Sequence, residues 1–111
     1  MMLTVEFDVE LAEAQARLND YTFCTQLDVP STANELHWHS FDAEFYITDG
    51  ALVLTDTEGN HHQCGPGSLI KVPEGTLHQE FSETGYQVVF GASVTPDQFG
   101  DPVDRPASTL A

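Results

Sequence analysis

The chain has 111 residues, 41% of them hydrophobic, enough apolar side chain for one core and too few residues for a second domain. Its 18 acidic residues are set against only Arg17, Lys71 and Arg105, a net charge of −15 at pH 7. Phosphate backbones and anionic lipid surfaces are bound through clustered Lys and Arg, so nucleic acid and membrane are excluded as partners.

No apolar run approaches the roughly 18–20 residues of a membrane span, and no basic stretch precedes an apolar one near Met1. A cytoplasmic chain is the expectation. Cys24 and Cys64 form no Cys-x-x-Cys pair and are expected to be free thiols. The acidity itself is read as solubility through self-repulsion.

In chain order, Asp8 is expected to cap a short helix from about Val9 to Leu18. Val9, Leu11, Ala12, Ala14 and Leu18 supply its apolar stripe, and Glu10 and Glu13 sit near its positive end. Asn19-Asp20 stops it. Tyr21 to Val29 reads as a strand closed by Pro30, and residues 30–34 as turn chemistry.

From Glu35 onward, short strands succeed one another with turn signals between them. They are Glu35–His39, Glu44–Thr48, Ala51–Thr55, His61–Gln63, Ser68–Val72, His78–Phe81 and Tyr86–Gly91. Asp49-Gly50 has the form of a two-residue hairpin, and Glu58-Gly59-Asn60 makes the next turn. Gly65-Pro66-Gly67 and Pro73-Glu74-Gly75 bound the strand at Ser68–Val72. After Val94 the alternation ends. The pattern predicts one all-β antiparallel barrel or jelly roll over 20–94, a helical lead-in over 1–19, and a loosely packed tail over 95–111 held by Phe99. Val88, Phe81 and Phe90 are expected to line the interior.

The chemistry concentrates between His37 and His78. His37 and His39, at i and i+2 on a strand, point to one face while Trp38 points to the other, so both imidazoles can converge on one ion. His78 closes a second segment in which Gly67, Pro73 and Gly75 stand at fixed offsets. His61 and His62 are adjacent in a polar run and are read as surface residues. Lys71 is read as an outward residue and Cys64 as a small buried hydrophobe.

These residues resemble the two motifs of the cupin family. His37, His39, a carboxylate at Glu44 and Gly50 follow the first motif, and Gly67, Pro73, Gly75 and His78 follow the second throughout, with Ser82 where Asn is common. The first motif departs in two places. Ser31 stands at its opening glycine, and only five residues separate Glu44 from Gly50. Counting forward from His39 puts Glu44 in the metal-carboxylate slot, whereas counting back from Gly50 puts Ala43 there. With Ala43 inward, Phe45 and Ile47 also face in, which suits an apolar interior; with Glu44 inward, Tyr46 and Thr48 line it, and a bulge near 41–44 would exchange the two. Both a three-histidine site and one completed by Glu44 stay open, and Asp42 is a weaker carboxylate candidate.

The resemblance implies a single barrel over about 20–94 with His37, His39 and His78, with or without Glu44, holding one divalent transition metal ion: Fe, Zn, Ni, Mn or Cu. It further implies a small-molecule metalloenzyme of dioxygenase or oxidoreductase type, similar to three-histidine dioxygenases. A non-catalytic metal or ligand sensor is one alternative. A metal-dependent isomerase, cyclase or lyase is another, with Tyr46, Glu44 or His78 as acid/base groups. Exposed sheet edges predict a homodimer.

Overall fold

A computed structural model describes residues 2–110. Its elements, in order, are β1 (Thr4–Glu6), α1 (Leu11–Leu18), β2 (Phe23–Val29), β3 (Thr32–Ala33), β4 (His37–Trp38), β5 (Ala43–Gly50), β6 (Leu52–Thr55), β7 (His61–Cys64), β8 (Leu69–Val72), β9 (Gln79–Ser82), β10 (Tyr86–Ala92) and β11 (Arg105–Pro106), with single 3-10 turns at Pro96–Gln98 and Ala107–Thr109.

The strands form an antiparallel sandwich. One sheet has the order β1-β8-β5-β10-β2, the other β3-β9-β6-β7, and β11 pairs with β4 as a separate ribbon. Ala43, Ile47, Ile70, Val72, Val88 and Phe90 of the first sheet pack against Leu52, Leu54 and Cys64 of the second, forming the main core. A second, smaller core lies on the other face of the first sheet, where Ala14 and Leu18 of α1 cover Tyr46, Leu69 and Val89. No helix among the described residues is long and apolar enough to cross a membrane.

The alternation along β5 decides which face each side chain occupies. Ala43 and Ile47 are buried in the main core and Phe45 packs on it, while Tyr46 belongs to the core under α1. The apolar-inward parity is therefore the one adopted. The register shift between β5 and β10 falls at Gln87/Val88, beyond Ile47, and leaves 43–47 in step with β10.

Several local expectations are corrected. The helix starts at Leu11 with Glu10 at its N-cap, because Val9 N–H is spent on the Gly67 carbonyl at 2.9 Å and Tyr46 Oη donates to the Val9 carbonyl at 2.5 Å. Asp8 takes a positive φ of 58° instead of capping. Asp49-Gly50 is not a hairpin, since β5 and β6 belong to different sheets. Gly50, at φ 83°, turns the corner so closely that a Cβ there would lie 2.4 Å from the Gly85 carbonyl oxygen. Thr32–Ala33, read as turn, pairs with β9, and Phe81 faces outward, 51% exposed.

Candidate metal centre

The short strand β4 is paired on both sides. His37 and His78 exchange both backbone hydrogen bonds, N–H to carbonyl at 2.9 Å each way. On the other side Trp38 pairs with Arg105 and His37 with Pro106. Just beyond β4, the His39 carbonyl accepts from Gly75 N–H at 2.9 Å, which ties it to the Pro73-Glu74-Gly75 turn. This brings three imidazoles to one end of the sandwich. Their ring centroids are 4.3 Å (His37–His78), 5.0 Å (His37–His39) and 5.1 Å (His39–His78) apart. All three residues are buried.

A fourth group completes the cluster. Glu80 lies two residues beyond His78, on the same face, and one donor atom from each of His37, His39, His78 and Glu80 lies within 4.8 Å of the others. The alternation that pairs His37 with His39 also pairs His78 with Glu80, so the signal was present in the sequence. Motif spacing drew attention to Glu44 instead.

The structure does not bring Glu44 or Tyr46 to the histidines. Glu44, on the other face of β5, accepts hydrogen bonds from Arg17 Nε at 2.6 Å, from Arg17 Nη2 at 2.8 Å and from the Tyr21 hydroxyl. It anchors α1 to the sheet, as does Tyr46 through Val9. Asp42 accepts from Glu74 N–H at 2.8 Å. His61 pairs with Thr55, and His62 with Asp56, away from the cluster. Lys71 meets Glu6 at the surface, and Cys64 is buried in the main core, its thiol pushed up to about 11 by burial.

The hydrogen bonds decide which nitrogen of each imidazole faces the centre. Nδ1 of His37 donates to the Glu35 carbonyl at 2.8 Å, that of His78 to the Thr76 carbonyl at 2.9 Å, and that of His39 to the Val103 carbonyl at 3.0 Å. A carbonyl only accepts, so each Nδ1 carries a proton, and in the neutral imidazole it is Nε2 that offers the lone pair. Nε2 of His37 and of His78 is buried without a hydrogen-bond partner. Glu80 Oε1 lies 3.4 Å from the first and 3.3 Å from the second. With the imidazoles neutral, those lone pairs face a carboxylate, an arrangement that costs energy until a proton or a metal cation enters.

The titration behaviour points the same way. Burial pushes the Glu80 carboxyl up, but the His37 and His78 imidazoles more than offset this and hold it well below the usual carboxylate range. Burial lowers His37, yet Glu80 and the Glu35 carbonyl outweigh it and leave its pKa raised. Burial, reinforced by His78 and His37, lowers that of His39. The donor set, imidazole nitrogens fixed by carbonyls plus one carboxylate oxygen, suits a divalent transition metal ion.

Fold and site together define a β-sandwich protein with a three-histidine, one-glutamate cluster compatible with a divalent metal. The profile of the family described as Cupin domain matches residues 26–90, more than half of the chain. The chain belongs to the cupin family, as a small cupin domain protein. No curated protein matches its sequence.

Among solved structures, the chain is similar in fold to a DUF861 family protein from Thermotoga maritima, at TM-score 0.58 and 12% identity, covering 81% of this chain and 98% of that one. It is also similar to a cupin-2 domain containing protein from Shewanella frigidimarina, at TM-score 0.52 and 13% identity, with 74% and 90% covered. A third is the polyketide cyclase RemF from Streptomyces resistomycificus, at TM-score 0.52 and 19% identity, with 85% and 67% covered.

Proposed function

We propose that this chain is a mononuclear metalloenzyme of the dioxygenase or oxidoreductase type acting on a small organic molecule, with His37, His39, His78 and Glu80 as ligands. The observation that carries this reading is the convergence of His37 and His78 Nε2, buried without a hydrogen-bond partner among the described residues, with His39 and the Glu80 carboxylate. A redox-active ion held there would supply coordination positions beyond the four protein donors.

The chain's own residues do the rest. The carbonyls of Glu35, Thr76 and Val103 each hold an Nδ1 proton and so fix the orientation of the three rings. Phe41 stacks on His39 at 5.2 Å, and Phe99 on Phe41 at 4.6 Å, an apolar layer that limits water on that side. Tyr86 Oη donates to Glu80 Oε2 at 3.2 Å and keeps a proton beside the carboxylate.

Elemental analysis of the untagged protein alongside His78→Ala tests the site. About one equivalent of a transition metal in the parent and little in the variant is the expected result. A parent that takes up none after incubation with Fe(II), Zn(II), Ni(II) and Mn(II) sinks the reading. Oxygen consumption with small chelating acids, thiols and diketones tests the reaction class.

The second reading is a metal-dependent cyclase, isomerase or lyase. The Tyr86–Glu80 pair favours it as an acid/base couple, and the fold is shared with a polyketide cyclase. Turnover without oxygen uptake would select it. We further propose a homodimer seamed along β2, a seven-residue strand whose outer edge pairs with no other strand among the described residues, and sedimentation as a monomer at micromolar concentration would end that idea.

A further inference from the structure

Two of the three histidine orientations are local. The acceptors for His37 and His78, the carbonyls of Glu35 and Thr76, lie two residues upstream of each ring. The acceptor for His39 is different. Val103 lies 64 residues away, outside the segment the family profile matches.

The stretch from Phe99 to Pro106 reaches the site as a strap. Phe99 stacks on Phe41, and its carbonyl accepts from Ser40 Oγ at 3.4 Å. Arg105 and Pro106 pair with β4, and the Arg105 guanidinium lies 5.3 Å from the centre of the Trp38 ring, with Nη2 donating to Ser40 Oγ at 3.5 Å. Trp38 Nε1 donates to the Pro106 carbonyl and to Thr109 Oγ1, at 3.2 Å each. Gly100 leaves room for this clasp, since a Cβ there would lie 2.5 Å from Arg105 Nη2.

The strap therefore acts on the His39 ring in two ways, directly through Val103 and indirectly through Phe99 behind Phe41. One face rests on the Phe41–Phe99 stack, and its Nδ1 proton is fixed by Val103. A ligating imidazole whose second nitrogen loses its acceptor is free to rotate and to change tautomer.

We infer that the strap formed by Phe99–Pro106 is a positioning element of the metal centre, so that metal affinity and strap seating are coupled through His39. This rests on the metal-binding reading above. Coupling is reciprocal: seating the strap tightens metal binding, and metal binding seats the strap by the same factor. The strap also brings the Asp104 carboxylate to 3.6 Å from His39 Nδ1 and 3.9 Å from His37 Nε2, so its backbone and side chain both meet the site only when it is docked.

Trp38 is the only tryptophan in the chain and lies against the strap, so its emission reports seating directly. The experiment uses the full metal-free chain with Arg105→Ala and Gly100→Ala, which release the clasp without touching a candidate ligand. Zn(II) affinity is measured by calorimetry, strap seating by Trp38 emission and limited proteolysis, and ligand geometry by the visible bands of Co(II). Thermal unfolding confirms that each variant is folded.

In the parent, Zn(II) shifts Trp38 emission and protects the strap from proteolysis. In both variants Zn(II) binds about 10–100-fold more weakly, and the Co(II) bands change as His39 is released. A merely structural strap would leave those bands alone. Altered Trp38 emission with Zn(II) affinity within about twofold of the parent overturns the proposal. Trp38 emission unchanged in both variants also overturns it, because the clasp would then not seat the strap. A parent that binds neither Zn(II) nor Co(II) overturns the metal reading itself, and shows this before any variant is compared.

Discussion

Tyr86 donates its phenolic proton to Glu80 Oε2 at 3.2 Å, which leaves the opposite oxygen, Oε1, facing His37 and His78. Burial, then the Glu80 charge, raises the Tyr86 phenol above its ordinary value, so it remains a donor through neutral and mildly alkaline pH. Tyr86→Phe is expected to lower Zn(II) affinity by about tenfold and stability by about 1–2 kcal/mol. Calorimetric titration and urea unfolding of the same preparation check both.

A buried glutamate, Glu44, and a half-buried one, Glu80, divide the work between them. Glu80→Gln is expected to lose at least about tenfold in metal affinity, because the cluster loses its one charged oxygen. Glu44→Gln is expected to bind metal like the parent while losing about 1–2 kcal/mol of stability, since half-exposed Arg17 and Tyr21 then hold a neutral amide under α1. A Glu44→Gln protein that is stable but metal-free would reverse these assignments.

The metal-free protein carries a pH signature of the same carboxylate. Glu80 has its folded pKa held below the ordinary 4.5, so its contribution is complete above that pH and is lost as the pH falls towards the folded value. His37 has its folded pKa raised above 6.5, so its contribution is complete below 6.5 and is lost as the pH rises through the folded value. Glu80→Gln removes the first effect and the largest cause of the second, leaving the Glu35 carbonyl and the Asp104 charge. The stability gap between parent and variant is therefore widest between pH 4.5 and 6.5 and narrows on either side. Urea midpoints across that range check the shape, and a gap independent of pH would remove the ion pair.

Gly50→Ala tests the corner between the sheets. At φ 83°, and with the Gly85 carbonyl 2.4 Å from the new Cβ, the substitution is expected to cost at least about 2 kcal/mol. Urea unfolding that shows less than about half that loss would mean the corner relaxes freely.

What the sequence determined by itself rests on short-range periodicity. His37 and His39 share a face because strand side chains alternate, and Gly67, Pro73 and Gly75 put His78 at a turn-bounded strand entry. The same alternation made Ala43, Phe45 and Ile47 the apolar face of β5, and the seven strands predicted from Glu35 onward are all present, with ends displaced by at most two residues.

Tertiary structure decided what alternation cannot express. Alternation sets Glu80 beside His78, but that Glu44 stays away from the histidines depends on which face of β5 is turned to the site, and Arg17, 27 residues from Glu44, settles where Glu44 spends its charge. An Asp-Gly step looks the same in a hairpin and at a corner, so only sheet membership separates β5 from β6. The stretch around Arg105 carries no alternation and two flanking prolines, yet it pairs with β4 across 67 residues and places Val103 on His39. Such contacts come from chain closure over long separations, where the pairing energy belongs to the docked surfaces and leaves no local pattern in either segment.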